Sequence, residues 1–233
     1  MATVIAHRRA GTVPRSREAA AYPVAEAARI LRLPTATLRS WIAGTVGPNG
    51  RMIPAVIRAA SRQPLALSFL NLVEAHVLRA LRTDHGVSLP HVRSALRYAQ
   101  RDFGIDRLLL SPELKTDAGR LFLDRYGQLT ELTASGQLAM RKLFEQHLKR
   151  VEWDAWKFPV RLYPFVRDDI VESRAVVIDS NIAFGRPIIS RLGVSTSVIA
   201  ERIDAGESVA DVAGDYSLTE GEVDAAVLYE RVA

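Results

Sequence analysis

Residues 22–42 read YPVAEAARILRLPTATLRSWI, and the rest of the chain is organised around them. Apolar side chains recur at helical spacing on both sides of Pro34, which interrupts the pattern. The hydroxyl of Thr35 is expected to cap the second helix. The stretch therefore predicts two short helices joined by a tight turn, a pair whose second helix can lie in the major groove of DNA.

The second of these helices would offer its first turn and its exposed face to DNA. Four side chains are the candidate contacts: Thr35, Thr37, Arg39 and Ser40. Arg39 is the first candidate among them. The alternative is an αα-hairpin packed in a core, with Leu38 and Trp41 as ordinary buried residues. The local excess of positive charge favours DNA binding.

The same words, VAEAARILRLPTATLRSWI, resemble the start of a MerR-type helix-turn-helix, in which a helix rich in small residues leads into a T-x-R-x-W/Y helix. The next segment, residues 44–54, reads GTVGPNGRMIP and contains the dense turn signal Gly47-Pro48-Asn49-Gly50. It predicts a small β-hairpin, or wing. In MerR-like domains a wing contacts the DNA backbone, so the resemblance implies such a contact by Arg51.

Composition narrows the class of protein. The 233 residues suffice for one large domain or two to three small ones, and the absence of cysteine excludes disulfides and thiolate metal sites. No apolar run is long enough to cross a bilayer, and residues 1–20 lack the apolar segment of a signal peptide. We therefore expect a cytoplasmic protein with no membrane partner.

Charge is distributed unevenly along the chain. Residues 1–62 hold 10 basic and 2 acidic side chains, residues 63–166 hold 15 and 11, and residues 167–233 hold 6 and 13, so the formal charge changes from +8 through +4 to −7. A basic front suits nucleic acid and an acidic end suits a different partner. A basic arm over residues 1–20 is expected to lie along DNA or to be solvated; its arginines are Arg8, Arg9, Arg15 and Arg17.

Periodicity predicts a mainly α chain with small β elements, an α+β fold with a winged helix-turn-helix first, a mixed middle region next and a short strand with three helices last. We expect four segments: the arm (1–20), a DNA-binding domain (21–104), a linking or dimerisation region (105–166) and an acidic partner-binding domain (167–233). Further predicted elements are helices Pro64 to Arg82, Leu89 to Phe103 after a Ser88 cap and Gly136 to Trp153, with short β-runs that include Leu108 to Leu110.

Two features between residues 93 and 165 each have two interpretations. Arginines at four-residue spacing form either a phosphate-contacting ridge or a solvated face; they are Arg93, Arg97 and Arg101. A dense aromatic cluster forms either a subunit interface or packing beneath the preceding helix; its members are Trp153, Trp156, Phe158, Tyr163 and Phe165.

The last segment combines a β-run at Ala175 to Ile178, a G-[KR]-P-x-I motif and three short helices, of which the third begins with the capping box of Thr219 and Glu222. It resembles a small prokaryotic family of antitoxin-type modules, often encoded beside a PIN-like ribonuclease toxin. The matching residues are Gly185, Arg186, Pro187, Ile189, Ala205, Gly206, Glu207, Ser208, Asp215, Tyr216, Leu218, Thr219, Ala225, Ala226 and Tyr229.

One departure from that family follows the motif. Family members continue with a G-T-R triplet, whereas Arg191-Leu192-Gly193 stands in its place here. Gly193 occupies the position of the family's arginine, and whether Arg191 replaces it is open. The resemblance implies partner contacts by Gly185, Arg186, Pro187, Arg191, Tyr216 and Tyr229.

Joined to a MerR-like front, this tail resembles the larger VapB-like antitoxins. The resemblance implies a chain that binds operator DNA at its front and a cognate ribonuclease toxin at its acidic end. Two-fold operator reading requires a dimer, so we expect a homodimer. The alternative is a stand-alone MerR-like transcription regulator that senses a small molecule.

The sequence does not support catalysis or a cofactor. The one dense carboxylate group could hold Mg²⁺; its members are Asp168, Asp169, Glu172 and Asp179. The first three of them lie in a predicted linker, where acidic residues are usually solvated. The five histidines have no ligand spacing, and His91 is interpreted as a surface residue. No nucleophile elbow or phosphate-binding glycine loop is present.

Overall fold

The computed structural model describes residues 14–83, 88–104, 106–110, 149–156, 158–164 and 174–232. Helices dominate these ranges and small antiparallel sheets accompany them, so the predicted α+β class is confirmed. The helices are α1 (Arg15–Glu18), α2 (Val24–Ile30), α3 (Thr35–Ala43), α4 (Phe69–Thr83), α5 (Leu89–Phe103), α6 (Thr196–Asp204), α7 (Val209–Tyr216) and α8 (Glu220–Val232). The strands are β1 (Tyr22–Pro23), β2 (Thr45–Val46), β3 (Met52–Ile53), β4 (Ser61–Arg62), β5 (Leu65–Leu67), β6 (Val151–Trp153), β7 (Pro159–Leu162), β8 (Val176–Asp179) and β9 (Pro187–Ile189).

The two predicted helices at the front form, as α2 and α3, and the predicted hairpin forms as β2 and β3. The expected hydroxyl cap of Thr35 is wrong: Pro34 occupies the N-cap position, and no side chain caps the helix. Proline is compatible with this start because it fixes the backbone before the first turn and Thr35 then becomes the first helical residue.

Strand β5 pairs antiparallel with both β1 and β4, and this three-stranded sheet leads into α4. The predicted start of that helix at Pro64 is wrong, because Pro64 lies in the turn between β4 and β5. The helix begins after Ser68, whose hydroxyl accepts a hydrogen bond from the Asn71 backbone N–H at 3.1 Å. The Asn71 side-chain oxygen accepts one in return from the Ser68 N–H at 3.2 Å. This reciprocal pair caps the helix.

Buried side chains of α4 lie in the larger core cluster, together with those of α2 and α3 and of the Leu108–Leu110 segment. The prediction of a β-run at Leu108–Leu110 is wrong, because these residues form a 3₁₀ turn with all three side chains buried. A short apolar run does not distinguish a strand from a buried helical turn. Residues 111–148, which include most of the predicted helix Gly136 to Trp153, lie outside the described residues.

The second sheet has four antiparallel strands in the order β6-β7-β8-β9. The predicted helix Gly136 to Trp153 is wrong at its end, where residues 151–153 form strand β6. Strands β7 and β8 pair through Arg161 with Asp179 and Leu162 with Ile178. The sheet therefore joins chain segments on both sides of the predicted boundary at residue 167, which stays a prediction.

The carboxy-terminal module is defined here as β8, β9 and α6–α8. The three predicted helices form, and the predicted capping box is confirmed: the Thr219 hydroxyl accepts from the Glu222 N–H at 3.2 Å. At the start of α7 the Ser208 hydroxyl accepts in the same way from the Asp211 N–H at 3.1 Å. Helix α8 packs against α6 and α7, and together with Val176 and Ile189 of the sheet they enclose a second core cluster.

The basic arm is only partly as expected. Arg8 and Arg9 lie outside the described residues, but residues 15–18 form helix α1 and Arg17 is buried. Its guanidinium lies 2.5 Å from an Asp154 carboxylate oxygen. The expectation that Arg17 lies along DNA or is solvated is therefore wrong, because its buried guanidinium is paired with Asp154, the residue after β6.

Candidate nucleic-acid interface

Helix α3 is held by one buried face and leaves the other face exposed. Leu38, Trp41 and Ile42 are almost fully buried in the larger core. The carbonyl oxygen of Trp41 accepts hydrogen bonds from the backbone N–H groups of Val56 at 2.7 Å and Ile57 at 3.0 Å, which ties the chain after the hairpin to this helix. The buried face expected of a core hairpin and the exposed face needed for DNA thus occur on one helix.

The exposed face carries the predicted DNA contacts. Thr35 and Arg39 are exposed, whereas Thr37 and Ser40 are half-buried. The Ser40 hydroxyl donates to the Thr37 carbonyl oxygen at 2.7 Å, so this hydroxyl is already used within the helix. Within the described part of the chain, the Arg39 guanidinium has no ion pair or hydrogen bond. It is free to bind a phosphate or a base edge.

The wing, residues 44–54, follows α3 directly. Gly44 has φ +81°, and a Cβ there would lie 2.5 Å from the carbonyl oxygen of Ile53, so the sharp exit from the helix requires glycine. The turn is closed by the Gly47 N–H, which donates to the Arg51 carbonyl oxygen at 2.8 Å. Arg51 is exposed, as a contact with the DNA backbone needs.

Two apolar side chains accompany Arg51 on the wing. Val46 and Met52 are opposite each other in the hairpin and are 62% and 70% exposed. Neither side chain belongs to a described core cluster, so the wing adds two apolar side chains to the surface beside Arg51.

The carboxy-terminal module contacts strand β1 and helix α2, which precede helix α3. The Tyr22 hydroxyl donates to the Gly185 carbonyl oxygen at 2.8 Å, and Arg186 forms an ion pair with Glu26. Arg29 reaches Glu230 at 2.6 Å. Burial raises the pKa of Tyr22 above its usual value, with a smaller opposing effect of Arg186, so its hydroxyl stays a donor at neutral pH.

Several of the predicted partner-binding residues are buried or make contacts within the protein. Gly185 and Pro187 are buried and Tyr229 is fully buried, so a direct contact of these side chains with a partner would require the module to open. Arg186 is half-buried and uses its charge on Glu26. Tyr216 is half-buried beneath the Arg202 guanidinium, which lies 5.3 Å from its ring centre. Their role in partner binding stays a prediction.

Arg191 has a structural role within the module. Its guanidinium contacts both carboxylate oxygens of Glu222, at 2.9 and 2.8 Å, and the Ser217 carbonyl oxygen at 2.7 Å. The Arg191 hydrogen bond and the N–H and hydroxyl of Thr219 lower the pKa of Glu222 to about 2. Gly193 has φ +74°, a conformation that disfavours the arginine found there in the family.

Of the remaining candidates from the sequence, the structure describes only some. Asp179 is buried and forms an ion pair with Arg161 at 2.6 Å, while Asp168, Asp169 and Glu172 lie outside the described residues, as does the side chain of His91. In the described ranges no group of carboxylates and histidines could hold a metal ion. In the same ranges no helix has the length and apolar character needed to cross a bilayer.

The aromatic cluster divides between two environments. Tyr163 is buried with Val177 and Ile188, Trp153 packs against the larger core, and Phe165 lies outside the described residues. Trp156 is 69% exposed. Core packing thus accounts for Trp153 and Tyr163, and a subunit interface stays a prediction.

Two sequence families match parts of the chain. Residues 20–96 match a family described as "Putative DNA-binding HTH domain", and residues 176–229 match one described as "Protein of unknown function (DUF433)". The first description does not mention the MerR type, which stays a prediction.

A relative and a solved structure extend these matches over most of the chain. "Putative antitoxin VapB45" of Mycobacterium tuberculosis (strain ATCC 25618 / H37Rv) is 26% identical over 217 residues, which cover 85% of this chain and 88% of that protein. The crystal structure of Rv2018 from Mycobacterium tuberculosis is similar with a TM-score of 0.66 and 24% identity, over 89% of this chain and 97% of that one. The second match shows the shared fold.

Proposed function

We propose that this chain is an antitoxin that binds operator DNA through α2, α3 and the wing, and that binds and neutralises a PIN-like ribonuclease toxin through its carboxy-terminal module. The observation that carries the DNA-binding half is Arg39, exposed on α3 with no internal partner in the described part of the chain. The match of residues 20–96 to a DNA-binding helix-turn-helix family supports it. The similarity to a protein named as an antitoxin supports the second half.

Operator binding requires a positive surface of suitable shape. Arg39 and Arg51 are both exposed and belong to consecutive elements, helix α3 and the wing. One arginine can contact base edges while the other fixes the position of the domain on the backbone. Two copies of the chain would read the two halves of a palindromic operator, which is why a homodimer belongs to the proposal.

Toxin binding is supported by the surface of the carboxy-terminal module. Its helices carry exposed carboxylates at Glu201, Asp211, Asp215, Glu220 and Asp224, and Glu207 is exposed between α6 and α7. Arg202 pairs with Glu207 and Asp215. Such a surface is complementary to the basic path that a ribonuclease provides for RNA phosphates. The module also exposes apolar side chains that can serve as anchors in a protein interface: Ile182, Phe184 and Leu192.

The DNA-binding half is tested with Arg39→Ala on the full chain. Because the exposed Arg39 side chain makes no hydrogen bond or ion pair in the described part of the structure, the variant should fold like the parent while its affinity for an operator fragment falls. Arg231→Ala is the control, since it removes the same charge from the carboxy-terminal module. Affinity should be measured at several salt concentrations. Equal binding by Arg39→Ala and the parent would contradict the assignment of α3.

The toxin-binding half is tested by copurification with a PIN-like nuclease encoded beside the gene. Truncation at residue 167 would remove β8 and β9 from the four-stranded sheet, so charge variants of the full chain are the sharper test. Glu220→Gln combined with Asp224→Asn should slow association with the nuclease and reduce its salt dependence. Glu18→Gln combined with Asp106→Asn is the control, because it removes two negative charges outside the carboxy-terminal module. Recovery of no nuclease by the parent would refute this half alone.

A further inference from the structure

A cleft lies at the end of the wing, where Pro54 is one of its lining residues. It is bounded by the segment Pro54–Ala60, the start of α4, helix α5 and residues 106–109, and its volume is about 1010 Å³. A volume of this size is at the upper end of those that hold small ligands. Neither the match to the DNA-binding family nor the proposed function assigns a role to it.

The carboxylates of the cleft are already engaged. Glu74 accepts two hydrogen bonds from the Arg107 guanidinium, at 3.0 and 2.8 Å, and one from the Asn71 side chain at 2.9 Å. Asp106 accepts from the Gln100 side chain at 2.9 Å, and Glu18 lies 3.9 Å from Arg107. Arg107 therefore offsets the charge of Glu74 and, at a longer distance, that of Glu18, whereas the amide partner of Asp106 carries no charge.

Three further arginines line the same cleft: Arg58, Arg93 and Arg97. Among the described residues none of them has a carboxylate partner. The Arg93 Nε donates to the Pro54 carbonyl oxygen at 3.0 Å, which anchors this side chain at the base of the wing and leaves its terminal nitrogens unused. Arg97 follows Arg93 by one helical turn, so the two guanidinium groups share one face of α5.

The electrostatics agree with this geometry. Burial, and next the proximity of Arg97, lower the pKa of Arg93 below its ordinary value. Positive charges placed together in a concave site raise the local concentration of anions. The arginine ridge is interpreted either as a phosphate-contacting surface or as a solvated face. A solvated face does not account for Arg93, which is half-buried and hydrogen-bonded to the Pro54 carbonyl oxygen at the end of the wing.

We propose that this cleft binds a phosphate group between Arg58, Arg93 and Arg97. The phosphate can come from the DNA backbone beside the operator contacts, in which case the inference rests on the proposed DNA binding, or from a free phosphorylated small molecule. Guanidinium groups bind both through the same paired N–H donors. Two measurements distinguish these sources.

The first measurement is the thermal unfolding midpoint of the full chain with and without inorganic pyrophosphate. A ligand that binds only the folded state raises this midpoint. Arg58→Gln combined with Arg97→Gln should lose most of the rise; both side chains are exposed, and the hydrogen bond that anchors Arg93 to Pro54 involves neither of them. Arg231→Gln is the control for charge. Arg97→Lys should keep part of the rise, because the positive charge remains.

The second measurement is operator affinity as a function of salt for the same variants. If the cleft holds backbone phosphates, the double variant should bind more weakly and its log–log salt slope should fall by about two units, while Arg231→Gln keeps the parent slope. Circular dichroism without phosphate should show that each variant unfolds at the parent's midpoint.

Each outcome decides the proposal. A pyrophosphate shift that depends on the cleft assigns it to a free phosphate, and a changed salt slope without that shift assigns it to DNA. If the parent binds DNA and neither effect is seen, the cleft proposal is overturned while the proposed function stands. If the parent binds no DNA, the pyrophosphate result alone decides.

Discussion

The hydroxyl of Tyr22 donates a hydrogen bond of 2.8 Å to the carbonyl oxygen of Gly185, across 163 positions of the chain. A Cβ on Gly185 would lie 2.1 Å from that hydroxyl oxygen. The glycine of the carboxy-terminal motif is therefore needed where Tyr22 approaches it, immediately before the first helix of the helix-turn-helix. The two halves of the chain depend on each other at this contact.

Tyr22→Phe should lower the free energy of unfolding by about 1 kcal/mol, because a buried hydrogen bond is lost and the rest of the ring stays in place. Chemical denaturation of the full chain measures this. Tyr216→Phe is the control, since its ring is half-buried beneath Arg202 and lies outside this contact. Equal stability of Tyr22→Phe and the parent would show that the contact contributes little.

Gly44→Ala should destabilise the protein by about 1–3 kcal/mol, since its backbone conformation is nearly restricted to glycine and a Cβ would approach Ile53. Gly50→Ala is the matched control: its φ is also positive, at +72°, but a Cβ there meets no atom within 4 Å. Only Gly44→Ala should both lower the melting temperature markedly and weaken DNA binding. A similar loss in both variants would point to backbone strain alone.

Asp154→Ala should cost about 3 kcal/mol, because it leaves the buried Arg17 guanidinium without its partner. Burial alone would raise the pKa of Asp154, but Arg17 and the backbone N–H of Phe158 lower it below its usual value. Arg17→Met should cost less, because Asp154 keeps the N–H donors of Trp156 and Phe158 at 2.9 Å. Urea denaturation of both variants gives the comparison, and the reverse order would contradict it.

Stability should depend on pH through Glu222. Its pKa is about 2 in the folded protein against 4.5 ordinarily, so its charge stabilises the fold above pH 4.5, and this contribution is lost as the pH falls towards 2. Glu222→Gln keeps the polar side chain of the capping box but not the charge. The melting temperature of the variant should lie below that of the parent at neutral pH and should meet it near pH 2. A difference that stays constant with pH would exclude this carboxylate as the cause.

Local patterns were sufficient to predict several elements from sequence. The helix-turn-helix, the wing and the three last helices were predicted because apolar spacing, turn residues and capping boxes act over a few neighbouring residues. The errors at Pro64, at Leu108–Leu110 and at the start of β6 occur where a short apolar run fits both a strand and a helix, or where strand pairing with distant residues decides the outcome.

The contacts between distant parts of the chain could not be predicted from neighbouring residues in the sequence. Arg186 was predicted to bind a partner, and the structure shows it paired with Glu26, because a motif indicates that a residue matters without indicating what it contacts. The same holds for Arg17, whose partner Asp154 is 137 positions away. Of the candidate DNA contacts, the exposure of Arg39 and Arg51 agrees with the prediction, while the hydroxyl of Ser40 is used within α3.

Because β7 pairs with β8, the fold should tolerate a break in the backbone between these two strands. A protease that cleaves once between Pro164 and Arg174 would break the polypeptide, yet these strands and the Tyr22 contact would keep both pieces in one particle. Two fragments, residues 1–164 and 174–233, should therefore reassemble when they are produced separately, which makes this fold a natural starting point for a split-protein complementation reporter.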